Sequence, residues 1–88
     1  MTEVRVLQMP MFRRVYKKLH RNQKAAVDGA IATVVADPSV GEEKKGDLAG
    51  IFVHKFDCVH QQFLLAYEYD PLSRTLHAAG VHEKFVVI

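Results

Sequence analysis

Residues 51–83, which read IFVHKFDCVHQQFLLAYEYDPLSRTLHAAGVHE, decide the fold of this chain. Three runs rich in β-branched and aromatic residues are separated by two clusters of turn-forming residues, near 57–61 and 70–73. This pattern is typical of an antiparallel meander made of two consecutive hairpins. We expect the meander to form the core sheet.

Alternation along the strands indicates which side chains share a face. His54 lies between two phenylalanines of one parity, and His82 ends the third run with the parity of Leu76. If one sheet face packs on helices and the other is partly open, His54 and His82 are expected to share a groove. His77 has the opposite parity, so it faces away from His82 unless a bulge intervenes.

The segment before the meander predicts one strand and two helices. Alternating apolar residues at 4–9 indicate a strand, and apolar positions at helical spacing indicate a first helix from Met11 onward. A second helix is expected over Gln23–Ala36, with Asn22 as its N-cap and Asp37-Pro38 at its end. Residues 40–50 are polar and are expected to form a loop.

Length and composition indicate a single α+β domain covering 1–88. Eighty-eight residues are too few for two independent cores. The element order β-α-α-β-β-β predicts a helical hairpin packed on one face of a mostly antiparallel sheet. One cysteine, Cys58, excludes an internal disulfide, and no signal-like start or membrane-length apolar run is present. A cytoplasmic location is therefore expected.

Basic residues are concentrated in the predicted helices. Six of the twelve lysines and arginines fall within positions 13–24, a stretch that contains no acidic residue. They are Arg13, Arg14, Lys17, Lys18, Arg21 and Lys24. A stripe of this kind suits a polyanion or an acidic protein partner, although a solvated helix face is an equally ordinary explanation.

The order of several short motifs resembles the RelE/ParE superfamily of small bacterial toxins from toxin–antitoxin pairs. The motifs are Lys17-Lys18-Leu19, Asp37-Pro38, KGDLAGIF at 45–52, QFLLAYEY at 62–69 and GVHEKF at 80–85. The last is similar to the ending of the YafQ-like branch. The resemblance covers nearly the whole chain.

The resemblance implies one of two activities. RelE-like and YafQ-like members cut mRNA in the ribosomal A site without a metal, so no cofactor is expected. On this basis His82 is the first candidate for catalysis, with His54 and His60 as further candidates. The basic stripe, together with Lys55, Lys84 and Phe85, is expected to bind RNA or the ribosome. An acidic antitoxin is expected to wrap the helical hairpin or the sheet groove.

Two alternatives remain open. ParE-like members poison DNA gyrase by binding, and this alternative is motivated by His60-Gln61-Gln62, which stand where relatives carry a charged residue. An inactive member retained for partner binding is the other, suggested by the end of the chain at Ile88. A metal site is disfavoured, since Cys58-x-His60 is the only short pair of metal-ligating residue types.

Overall fold

The described part of the chain forms five strands and two helices in the order β1–α1–α2–β2–β3–β4–β5. The computed structural model describes residues 3–44, 46 and 50–83. The elements are β1 (Arg5–Gln8), α1 (Pro10–Lys17), α2 (Arg21–Ala36), β2 (Glu42–Glu43), β3 (Phe52–Cys58), β4 (Gln61–Asp70) and β5 (Thr75–Glu83). The spatial order is β1-β5-β4-β3-β2, with β1 parallel to β5 and every other pair antiparallel. The predicted α+β architecture and the meander are confirmed.

The short strand β2 lies in the segment that the sequence predicted as a loop. Glu42 pairs with Val53 and Glu43 with Phe52, which adds a fifth strand at the sheet edge. Two adjacent glutamates carry no alternating apolar signal, so nothing in their composition indicates a strand.

The first residues of each helix explain where it begins. Pro10 occupies the first turn of α1, where its missing N–H has no intrahelical partner to lose. The predicted N-cap of α2, Asn22, is wrong because the helix already begins at Arg21. His20 is the N-cap, and its backbone N–H donates to the side-chain oxygen of Gln23 at 2.8 Å. That bond satisfies one of the unpaired amides at the helix start.

The core lies between the helices and one face of the sheet. The odd-numbered apolar residues of β4 (Phe63, Leu65 and Tyr67) are buried against helical side chains that include Phe12 and Val27. Further core residues are Ala30, Val34, Cys58, Leu76, Ala78 and Val81. Both helices therefore cover the same face of the sheet, and the even-numbered residues of β4 point to the other face. We call that other face the open face.

Tyr67 ties the segment after α2 to the core. Its buried hydroxyl donates to the carbonyl oxygen of Pro38 at 2.6 Å and accepts from the N–H of Gly41 at 3.0 Å. Burial raises the pKa of Tyr67, which keeps the donating proton in place. A Cβ at Gly41 would lie 2.6 Å from the Tyr67 oxygen, so the close approach depends on glycine.

A β-bulge in β5 changes which side chains face the helices. Tyr67 lies opposite Ala78 and Ala66 opposite Gly80, so Ala79 is an extra residue without a partner on β4. Before the bulge Leu76 and Ala78 face the core, and after it Val81 does. The expectation that His82 lies on the same face of the sheet as Leu76 is therefore wrong, because one inserted residue reverses the alternation of side chains.

A two-residue turn joins β3 to β4. Val59 and His60 have φ angles of 51° and 66°, and positive φ at both central residues is the geometry of a type I′ hairpin turn. Valine is poorly suited to this conformation, because its branched Cβ crowds the backbone in the left-handed region.

We predict that Tyr67→Phe lowers the free energy of unfolding by about 1–3 kcal/mol, because two partly buried backbone groups lose their partner. Urea unfolding measures the change. Tyr69→Phe is the matched control, since Tyr69 lies one step along the same face of β4 and is half-buried. It is expected to change the stability by less than about 0.5 kcal/mol. Equal losses in the two variants would contradict the role assigned to the Tyr67 hydroxyl.

We predict that Val59→Asn raises the free energy of unfolding by about 1 kcal/mol, because asparagine tolerates positive φ better than valine does. Urea unfolding again provides the measurement. Val40→Asn is the control, since Val40 is another exposed valine and is not among the residues with positive φ. A gain of the same size at Val40 would show that polarity, and not backbone strain, is responsible.

Candidate functional site

Three strands place a lysine and a histidine in one row across the open face. Lys55 of β3 lies opposite Leu64 of β4, and Leu64 lies opposite His82 of β5. Directly opposed residues project to the same side of a sheet, so all three side chains share the open face. Two strand spacings separate the Cα atoms of Lys55 and His82 by about 10 Å. Lys55 and His82 are exposed; we call this the Lys55–His82 row.

His54 does not join this row. It lies opposite Leu65, which is fully buried under the helices, and its ring stacks on Phe56 with a centroid separation of 6.2 Å. His54 and His82 are therefore on opposite faces of the sheet, and the expectation of a shared groove is wrong. The cause is the bulge at Ala79, since β3 keeps an unbroken alternation while β5 does not.

The remaining histidines of the meander lie further away. His60 is at the exposed tip of the β3–β4 hairpin, four residues along the chain from Leu64, or about 14 Å in an extended strand. It stands outside the Lys55–His82 row. His77 lies opposite Glu68 on the open face, so the bulge brings it to the same side as His82. The sequence predicted that His77 faces away from His82 unless a bulge intervenes, and the bulge at Ala79 does intervene.

A groove along α1 gathers the predicted basic residues. It has a volume of about 350 Å³ and is lined by Pro10, Arg13, Arg14, Lys17 and Lys18. Its four cations form two pairs at i, i+4 spacing, so they present one continuous positive surface. We call this surface the α1 groove. Because α1 covers the helix side of the sheet, the α1 groove and the Lys55–His82 row lie on opposite sides.

The other two residues of the basic stripe differ from these four. Arg21 is exposed at the first position of α2. The Lys24 ammonium lies 5.6 Å from the centre of the Tyr16 ring, and the Tyr16 hydroxyl donates to Asp28 at 2.9 Å. That hydrogen bond raises the pKa of Tyr16. Lys24 is half-buried and packs against Tyr16 of α1.

The chemistry available on the open face is proton exchange beside a fixed positive charge. An imidazole can accept or donate a proton near neutral pH. A lysine ammonium is a compact cation with three rotatable donors that suits a phosphate oxygen. Lys84 and Phe85, also predicted to contact RNA, lie outside the described residues.

The described residues contain neither a cluster of metal-ligating side chains nor a membrane-spanning helix. In the described ranges no three His, Cys, Asp or Glu side chains lie close enough together to hold a metal ion. Cys58 was expected in a turn, but it ends β3 and is buried, with its sulfur 4.0 Å from the carbonyl oxygen of Gln23. Burial raises the pKa of the Cys58 thiol, which disfavours the thiolate. No helix within 3–44, 46 and 50–83 is both long and apolar enough to cross a membrane.

Comparison with protein families decides what kind of chain this is. A model of the ParE-like toxins of type II bacterial toxin–antitoxin systems matches residues 6–87. The chain belongs to this family. A comparison with curated protein sequences finds no match.

Solved structures of related toxins share the fold. The toxin–antitoxin complex RelBE2 from Mycobacterium tuberculosis contains a chain that is 25% identical, with a TM-score of 0.71 over 94% of this chain and 100% of that one. The intact RelBE complex of E. coli gives 11% identity and a TM-score of 0.76, over 94% and 99% of the two chains. Isolated E. coli RelE gives 11% identity and a TM-score of 0.77, over 96% and 87%. The chain is a toxin of the RelE/ParE superfamily.

Proposed function

We propose that this toxin is a metal-independent endoribonuclease that cuts mRNA on the ribosome. The observation that carries the proposal is the Lys55–His82 row, in which an imidazole and an ammonium flank Leu64 on the face of the sheet that the helices leave open. His82 takes the role of proton-transfer group and Lys55 that of phosphate-binding cation. His54, which faces the helices, has no part in the reaction.

The reaction requires three contributions. His82 removes the proton from a ribose 2′-hydroxyl, and the freed oxygen attacks the adjacent phosphorus. The bond from phosphorus to the 5′-oxygen breaks, that oxygen takes a proton from water, and a 2′,3′-cyclic phosphate remains. Lys55 stabilises the negative charge that builds up on the phosphate oxygens in the transition state. Leu64, between them, provides an apolar floor for the ribose.

The α1 groove supplies a second contact with RNA. Because it lies across the sheet from His82, it does not hold the few nucleotides being cut. It suits the phosphate backbone of structured RNA that surrounds the mRNA on the ribosome. Binding of this kind is electrostatic, so it weakens steeply as salt rises.

A cognate antitoxin is the proposed protein partner. The RelBE2 and RelBE structures are toxin–antitoxin complexes. The positive α1 groove favours an acidic segment of that antitoxin, which would wrap the helix pair or cover the open face. A cytoplasmic location follows from this proposal, since both the ribosome and the antitoxin are met there.

Inhibition of DNA gyrase by binding is the second candidate. It is favoured by the match to ParE-like toxins and by the uncharged Gln61-Gln62 pair at the start of β4. Gyrase supercoiling in the presence of purified toxin separates the two candidates. Inhibition without any RNA cleavage would support this candidate against the nuclease.

We predict that His82→Ala lowers mRNA cleavage in a translating extract by about 10²-fold or more, the usual loss when a proton-transfer group is removed. Primer extension on the translated mRNA provides the measurement. His54→Gln is the matched control, because it alters a histidine of the same sheet on the opposite face, and its cleavage is expected to stay close to wild type. Cuts that persist unchanged in His82→Ala would remove His82 from the mechanism.

We predict that the double variant Arg14→Ala/Lys18→Ala binds ribosomes more weakly and with less dependence on salt. Each lost phosphate contact lowers the slope of log K against log[salt] by about 0.7–0.9, so the slope should fall by about 1.5. Filter binding at several salt concentrations provides the measurement. Lys24→Ala is the control, since that ammonium packs on Tyr16. A slope that stays at the wild-type value in the double variant would exclude the α1 groove as an RNA contact.

A further inference from the structure

The open face carries a second polar row that the proposed reaction does not use. Leu7 of β1 lies opposite His77 of β5, and His77 lies opposite Glu68 of β4. The three side chains therefore stand side by side on the same face as His82. Glu68 is exposed, His77 is half-buried and Leu7 is 45% exposed. We call this the Glu68–His77 row.

These groups are available to a ligand. Within the part of the chain that the structure describes, neither Glu68 nor His77 hydrogen-bonds another side chain. The neighbouring Asp70 is already engaged, because it accepts from the N–H of Leu72 at 3.0 Å and from the Ser73 hydroxyl at 2.8 Å. Glu68 is thus the carboxylate of this area that remains open to an incoming donor.

The spacing of the two rows matches adjacent parts of one RNA strand. Leu64 and Glu68 mark the two rows on β4 and are four residues apart, which is about 14 Å in an extended strand. Stacked nucleotides rise about 3.4 Å each, so the second row lies no more than about four nucleotides from the bond at His82. Ala66 lies between the two rows, and its small side chain leaves room for an RNA strand to pass from one row to the other.

We propose that the Glu68–His77 row is a specificity-determining subsite that reads a guanine base of the single-stranded RNA. This inference rests on the proposed ribonuclease function. A carboxylate offers only acceptors, and guanine presents two neighbouring donors, N1–H and N2–H₂, that match its two oxygens. An N–H of His77 donates to the guanine O6 acceptor, and Leu7 contacts the apolar face of the base.

A phosphate is a poorer occupant of the same row. Glu68 and Asp70 are both acidic. Hydrogen bonds from the Ser73 hydroxyl and the Leu72 N–H are the main causes that lower the pKa of the Asp70 carboxyl group, and the nearby His77 adds a smaller effect. Two carboxylates repel a phosphate, whereas they favour the N–H edge of a base. The Lys55–His82 row, in contrast, contains a lysine and no carboxylate. The open face thus has one end suited to the backbone and another suited to a base.

The test maps cut sites in a reconstituted translation system on an mRNA library. For the wild type we expect guanine to be enriched at one position displaced from the cut. Glu68→Gln replaces one acceptor with a donor, so that enrichment should fall by about fivefold or more. Glu43→Gln is the matched control, because it alters an exposed glutamate of β2 outside this row, and it should keep the wild-type enrichment.

A substrate change makes the test independent of how active the variant is. Inosine lacks the N2 amino group, so replacing the preferred guanosine with inosine should slow cutting by the wild type severalfold. Equal cutting of the two substrates, or an unchanged guanine preference in Glu68→Gln, would overturn the subsite and leave the ribonuclease proposal standing. If the wild type cuts no mRNA at all, the ribonuclease proposal is overturned and the subsite with it.

Discussion

Burial of Phe63, Leu65 and Tyr67 against the two helices is the constraint on which the rest of this structure depends. These residues occupy alternate positions of β4, the central strand of the sheet, and they commit one face of it to the core. The even-numbered residues of the same strand are thereby assigned to the open face. Lys55, His77 and His82 are each placed by pairing with β4, so this part of the site is a consequence of core packing.

Much of the fold could be predicted from the sequence because its signals are local. Alternating apolar residues, turn-forming clusters and helical spacing each act over a few residues, and they gave the meander and both helices. The helix α2 begins two residues earlier than predicted, because the Gln23 side chain accepts from the backbone N–H of His20, while Asn22 lies inside the first turn and accepts from the N–H of Gln23. The strand β2 was missed because its two glutamates are held by pairing with β3 and not by their own preference.

The candidate site was harder to predict because it depends on register. The prediction assumed that side chains alternate along β5 without a break at Ala79. It therefore placed His82 on the wrong face of the sheet, together with His54. The three small residues Ala78, Ala79 and Gly80 were the available signal, since glycine in a strand often marks a bulge. Lys55 was recognised as a basic residue, but its position opposite Leu64 and in line with His82 needed the strand pairing.

The side chains of β5 change face at Ala79 because the strand contains one extra residue there, and not because of which amino acids it contains. If all the residues of β5 were kept but the bulge were absent, the strand would alternate without a break from Leu76 onward. Val81 would then meet solvent, and His82 would be turned toward the helices. An alignment of relatives that misplaces a gap by one position in this strand therefore exchanges an outward histidine for an inward one. Homologous positions in β5 are best assigned by which residue lies opposite Leu64, even where another register gives a higher sequence identity.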